Sequence, residues 1–157
     1  MPPRRKSRPE LRLERFLPYR LSVLANTISA AIASVYASQH DLTIPEWRII
    51  AVLAQSPGLS AADVAARTAM DKVAVSRAVA RLERAGRVRR RAVRGDRRRR
   101  QLALTARGRD VYTRIVPWAL EYERRLLSAL DGRGLAALDE ALDRLTERAR
   151  AHPIIGG

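Results

Sequence analysis

Apolar residues recur along this chain with a helical period almost from its start. Leu21, Leu24, Ala25, Ile28, Ala31, Ile32, Val35 and Tyr36 follow the i, i+3, i+4, i+7 rule. Pro18 suits a first-turn position, so the pattern predicts a helix running to about Ser38. Thr43-Ile44-Pro45-Glu46 has the form of a capping box with proline just inside the helix, and Trp47, Ile49, Ile50 and Leu53 carry that helix to about Ala54. Ser56-Pro57-Gly58 reads as a turn. Ser60-Ala61-Ala62-Asp63 repeats the cap ahead of a short helix ending near Arg67. Asp71 caps the next helix, and Gly86, free to adopt the left-handed conformation, ends it. Val75, Ala78, Val79 and Leu82 mark its core side, so Lys72, Ser76, Arg77, Arg81 and Arg84 must lie away from the core.

The period then changes. Val88 to Ala92 and Gln101 to Leu104 read as two short strands, with Val93-Arg94-Gly95-Asp96 as the turn between them. Thr105 caps a long helix to about Leu130, with Val111, Tyr112, Ile115, Trp118, Ala119, Tyr122 and Leu126 on one side and a kink expected at Pro117. Asp131-Gly132-Arg133-Gly134 reads as a break. Leu135, Leu138, Leu142 and Leu145 then stripe a last helix to about Ala151. Two short helices joined by a tight turn, the second basic on its free face, make a helix-turn-helix, and the hairpin behind it is a wing. The expected fold is mainly α with a small β-hairpin wing: a winged helix-turn-helix DNA-binding lobe over residues 41–104 plus a helical dimerisation region over residues 13–40 and 105–157.

Charge turns this outline towards a partner. Residues 72–100 hold thirteen Lys/Arg against Glu83 and Asp96, and residues 1–12 hold five against Glu10. The remaining residues balance thirteen basic groups with thirteen acidic ones, so the whole net charge of +15 sits in one segment and one basic tail, the latter expected to be disordered. A surplus gathered in this way is the footprint of a polyanion site, usually nucleic acid. The nine arginines between Arg87 and Arg100 repel one another until phosphate neutralises them.

Other chemistries are poorly served. The chain has no cysteine, which excludes disulfides, thiolate metal sites and a thiol redox switch. Its two histidines, His40 and His152, stand in no ligand-spaced cluster. Paired carboxylates, a nucleophile–base set and a Gly-rich phosphate loop are all missing, so neither an enzyme nor a cofactor is expected. The apolar runs read as short and broken by charge, so no membrane span is expected; no apolar segment follows the basic N-terminus as in a secretory signal, and the location expected is cytoplasmic. A core of about sixty residues does not need long helices on both sides to bury it. Their apolar stripes suggest a two-fold dimer, which would read an inverted repeat with half-sites ~34–36 Å apart.

Three segments resemble the MarR family of winged-helix bacterial regulators. LTIPEWRIIAVLA (residues 42–54) is similar to the family's second helix, and SRAVARLERAGRVRR (residues 76–90) to its recognition helix running into the wing. DRRRRQLALTARG (residues 96–108) is similar to the wing signature: Asp, Arg two on, then Leu-Thr, then Gly three beyond. The resemblance spans about residues 13–150. It implies that Asp96 and Arg98 form the wing's acid–arginine pair, with the arginine in the minor groove, where narrowing attracts it. It places Lys72, Ala74, Ser76, Arg77 and Arg81 at the major groove, where Lys72 and Arg77 could donate to guanine. Arg94, Arg97, Arg99 and Arg100 fall on the wing, the last three suited to phosphate contacts. For Arg81 and Arg84 a salt bridge remains an open alternative.

The resemblance further implies a dimeric regulator, more often a repressor, released by a small aromatic or phenolic anion bound between dimer helices and DNA lobe. Tyr19, Arg20, Tyr36, His40, Trp47 and Arg48 are the ligand candidates. Tyr36 and Trp47 lie on apolar faces and read more readily as core, His40 as a surface or capping group, and the two arginines as ordinary ion-pair partners. The alternative function is a non-specific architectural DNA-binding or RNA-binding protein using the same basic hairpin.

Overall fold

The computed structural model describes residues 10–93 and 96–151, with backbone alone for residues 93 and 96–99. A short 3-10 turn, Leu13–Arg15, precedes α1 (Leu17–His40), α2 (Ile44–Gln55), α3 (Ala61–Thr68) and α4 (Lys72–Arg84). The hairpin β1 (Val88–Val93) and β2 (Asp96–Leu104) follows, then α5 (Ala106–Leu127) and α6 (Gly132–Ala151). The winged helix-turn-helix expected from the sequence is therefore the fold. The basic tail expected over residues 1–12 falls mostly on residues 1–9, outside the described residues, as do Arg94 and His152.

The chain divides into two compact units, Met1–Val116 and Pro117–Gly157. In the first, α2, α3, α4 and the base of the hairpin enclose Ile49, Ile50, Leu53, Val64, Val75, Val79, Leu82 and Leu102, each at most 1% exposed. Tyr36 from α1, and Val111 and Ile115 from the first half of α5, complete this core. Local chemistry starts each helix. Thr43 and Glu46, and likewise Ser60 and Asp63, form reciprocal capping boxes. The Asp71 carboxylate accepts from the Ala74 amide at 2.8 Å at the start of α4. Gly86 follows the end of α4 with φ +66°, the left-handed turn read from the sequence.

The hairpin is antiparallel, running from Val88↔Leu104 to Arg91↔Gln101 and Ala92↔Arg100, with an irregularity after Ala92. Its base is tied to the turn after α2: the Gly58 amide donates to the Leu102 carbonyl at 3.1 Å, and the Leu102 amide to the Leu59 carbonyl at 2.8 Å. The second strand starts at Asp96, five residues before the Gln101 expected from the pattern. Apolar alternation could not reveal that outer part. Asp96 to Arg100 holds no apolar residue, so no alternation can appear there, and the backbone ladder defines the strand.

Thr105 closes the hairpin and starts α5. Its amide donates to the Arg87 carbonyl at 3.0 Å, its hydroxyl donates to the Gly86 carbonyl at 2.7 Å, and the Gly108 amide donates to that hydroxyl at 3.1 Å. Gly108 is buried so closely that a β-carbon would stand 2.1 Å from the Arg87 carbonyl oxygen.

Two sequence expectations need correction. The stretch expected to break the chain before α6 is mostly its first turn: Asp131 caps it, accepting from the Gly134 amide at 2.7 Å, and both glycines are helical. The expectation that apolar runs are too short for a membrane span fails at α1, which is long and apolar enough by length and composition (mean hydropathy 1.4 over its best window). Polar Ser22, Asn26, Thr27 and Ser29 interrupt this helix's apolar run but carry no charge. Leu17, Leu21, Val23 and Leu24 on this helix are exposed.

The second unit consists of the end of α5 and α6. The division falls at Pro117, inside a helix that continues through it. Nothing on α6 is buried, and Leu138, Leu142 and Leu145 form an exposed apolar stripe.

Candidate nucleic-acid interface

The free face of α4 and the hairpin beside it gather the predicted DNA contacts. Lys72, Ser76, Arg77 and Arg81 are exposed and Ala74 is half-buried, so the helix presents the face the sequence assigned to it. Lys72 and Arg77 have no carboxylate partner among the described residues, leaving their donors available. Arg100 is exposed on β2. Asp96, Arg97, Arg98 and Arg99 lie along the backbone of the same strand, and Arg94 lies outside the described residues.

Arg81 is committed elsewhere. Its Nε donates to Glu46 Oε1 at 2.9 Å, and the Glu46 side chain is 3% exposed. Glu46 also accepts from the Thr43 amide and hydroxyl, both at 2.7 Å. Burial is the largest influence on this carboxyl and works against its ionised form. The hydrogen bonds from Thr43 and Arg81 together outweigh it and hold the group below its ordinary value. Arg81 therefore locks α4 to the start of α2, and of the two alternatives open for it the salt bridge is present. Arg84 has no such bridge among the described residues; Glu83 instead takes Arg90 of β1 at 3.0 Å, tying helix to wing.

Periodicity missed two features. Val73 is 59% exposed in the first turn of α4, in the middle of its polar face. Arg87 is buried, its guanidinium donating to the His40 and Asp41 carbonyls at the end of α1, where the helix dipole favours a cation. The only sequence signals were an apolar residue on a charged helical face and an arginine directly after the glycine stop.

The ligand candidates separate into two groups. Tyr36 and Trp47 are 5.7 Å apart between ring centroids, and Tyr112 stacks on Trp47 at 6.0 Å. Arg48 donates to Ser29 at 3.0 Å, and its charge acts on Tyr36, whose hydroxyl is pushed up to about 12, chiefly by burial. His40 is engaged through its carbonyl by Arg87. Tyr19 and Arg20 are exposed on the first turns of α1, seventeen residues and roughly 25 Å of helix before Tyr36, and do not join this group. Tyr36 is core, as its apolar position allowed, and Trp47 packs half-buried against the core.

A family model described as the MarR family matches residues 40–99. The HTH-type transcriptional repressor Rv2887 of Mycobacterium tuberculosis is 34% identical over 116 residues, covering 73% of this chain and 80% of that one. Among solved structures, a MarR/EmrR family transcriptional regulator from Acinetobacter sp. ADP1 aligns with a TM-score of 0.82 and 25% identity, over 90% of this chain and all of that one. The M. tuberculosis MarR family protein Rv2887 in complex with p-aminosalicylic acid aligns with a TM-score of 0.65 and 29% identity, over 83% and 98% of the two chains. These relatives are transcriptional regulators rather than enzymes, and a 90% alignment is too long to leave out the 24-residue α1.

Proposed function

We propose that this chain, which belongs to the MarR family of transcriptional regulators, represses transcription as a two-fold dimer seated on an inverted repeat. The observation that carries the reading is the exposed face of α4, whose Lys72 and Arg77 have no carboxylate partner among the described residues, beside an arginine-bearing hairpin held at a fixed register by Leu59 and Leu102. In this reading Lys72 and Arg77 meet base edges in the major groove, and Arg98 enters the minor groove with Asp96 beside it. Arg94, Arg97, Arg99 and Arg100 meet phosphates.

Dimerisation is supported by apolar surface on each unit taken alone: Leu17, Leu21 and Leu24 on α1, and Leu138, Leu142 and Leu145 on α6. Contiguous exposed apolar surface marks association, and two-fold pairs are the commonest outcome. A small aromatic carboxylate is the effector that suits the partly exposed Trp47, Tyr112 and Arg48, which offer aromatic rings and a guanidinium beside the buried Tyr36. The relative solved with p-aminosalicylic acid supports that ligand class.

Selection of duplexes from a random pool by the full chain, with sedimentation of the complex, tests the reading. An inverted repeat bound by two chains is expected, preferred over random duplex by at least ~10³-fold. Binding that ignores sequence would replace this function with the non-specific architectural one. Calorimetry with benzoates, with and without operator, tests the effector: linkage requires each ligand to weaken the other equally.

A further inference from the structure

The geometry points to Val73 as a reader of the thymine 5-methyl group, an inference that rests on the DNA-binding reading above. Among the described residues, Val73 is the one large apolar side chain left exposed between Leu24 and Trp118; the others lie on α1, the end of α5 and α6, or beside them. It is 59% exposed on a helix whose remaining free face carries Lys72, Ser76, Arg77, Ala80 and Arg84. At about 100° per residue, the buried positions Val75, Ala78, Val79 and Leu82 centre on one side of α4, and Val73 lies within roughly 10° of the opposite pole. It therefore projects directly away from the core. It is also in the first turn, and recognition helices contact base edges through their N-terminal residues. Ser76 and Arg77, three and four positions on, share its face.

An isopropyl group has no hydrogen bond to give a base. In the major groove the apolar feature open to it is the C5-methyl of thymine, which distinguishes A·T from the other pairs where the methyl falls. Burying one methyl-sized group against it is worth about fourfold in affinity per half-site, or roughly fifteenfold for a symmetric operator. Val73 thus adds a thymine preference beside the base read by Arg77. No structural reason for the exposed valine arises within the lobe, since Val73 is absent from the core cluster and from the residues packed on it.

The experiment replaces thymidine by deoxyuridine, one position at a time, in the operator selected by the full-length protein. The exchange removes the methyl and keeps every base-pairing group. One symmetric position should lose about fourfold per half-site with the natural chain. Val73→Ala should bind the unmodified operator weaker by a similar factor and become indifferent to deoxyuridine there. Circular dichroism checks its fold, which alanine at an exposed helical position should preserve. A methyl-sensitive position that persists in Val73→Ala, or a scan with no sensitive position, overturns the inference. Failure to select any preferred duplex would instead overturn the DNA-binding reading itself.

Discussion

Gly108→Ala should destabilise the lobe strongly, although alanine normally strengthens a helix by roughly 0.5–1 kcal/mol over glycine. Gly108 lies in α5 near its start, with its amide on the Thr105 hydroxyl. An added β-carbon would stand 2.1 Å from the Arg87 carbonyl oxygen, 3.0 Å from its carbon and 3.3 Å from Leu104 Cδ2. The first two obstacles are backbone, and that carbonyl also accepts from the Thr105 amide, so it cannot move without breaking the joint between wing and helix. Relief requires a shift of more than an ångström between α5 and the start of β1. Overpacking of ordinary side chains costs ~1–3 kcal/mol, and a rigid backbone obstacle puts this case at about 3 kcal/mol or more. Gly132→Ala is the control: it is helical, and an added β-carbon meets nothing within 4 Å. It should be neutral or stabilising by up to about 1 kcal/mol. Urea unfolding of both variants and the natural chain, followed by circular dichroism, reads the difference. A Gly108→Ala variant within 1 kcal/mol of the natural chain would refute the argument that backbone proximity demands glycine here.

Arg81→Ala should destabilise the lobe, but less than loss of a fully buried pair would, because Arg81 is half exposed and Thr43 still serves Glu46. Glu46 has a lowered folded pKa, so its stabilisation is present above its unfolded value and is lost as pH falls through the folded one. Without Arg81 that loss should begin at higher pH, which denaturation curves across acid pH would show; an unchanged acid limb would remove the ion pair from the account. Arg77→Ala should cost ~1–3 kcal/mol and relax one base preference per half-site, whereas Arg98→Ala should weaken binding most at A·T-rich flanks; uniform losses across sequences in both would reduce them to phosphate contacts. If the dimer neutralises about eight phosphates, log K against log salt should fall with a slope of roughly −7, and one shallower than about −3 would deny the basic hairpin its role.

Local chemistry was readable because its signals lie within one turn. The Thr43–Glu46 and Ser60–Asp63 boxes and the Asp71 cap each span four residues, and each begins a helix where expected. The buried face of α4 was equally legible from spacing alone. What escaped depends on separation or on silence. The Arg81–Glu46 bridge joins residues 35 apart, and Arg87 reaches carbonyls 46 and 47 residues away. Neither distance leaves a periodic trace. The outer part of β2 escaped because strands are recognised by apolar alternation, and Asp96 to Arg100 holds no apolar residue to carry it. Arg20 and Tyr19 joined the ligand candidates on residue type and could be separated from Tyr36 only by position along α1.

The hairpin's two halves face different evolutionary constraints. Its base carries Val88, Leu102 and Leu104 in the core, where a change of volume is felt by the whole lobe. Beyond Ala92 the ladder is made by backbone groups that every residue but proline supplies, and the described side chains nearest to it face water. If the wing meets DNA as proposed, substitutions in that outer stretch should alter which sequences are bound more than they alter folding. A lineage could therefore drift from one operator to another through the tip of the wing, one arginine at a time, without crossing the stability threshold that confines most mutations.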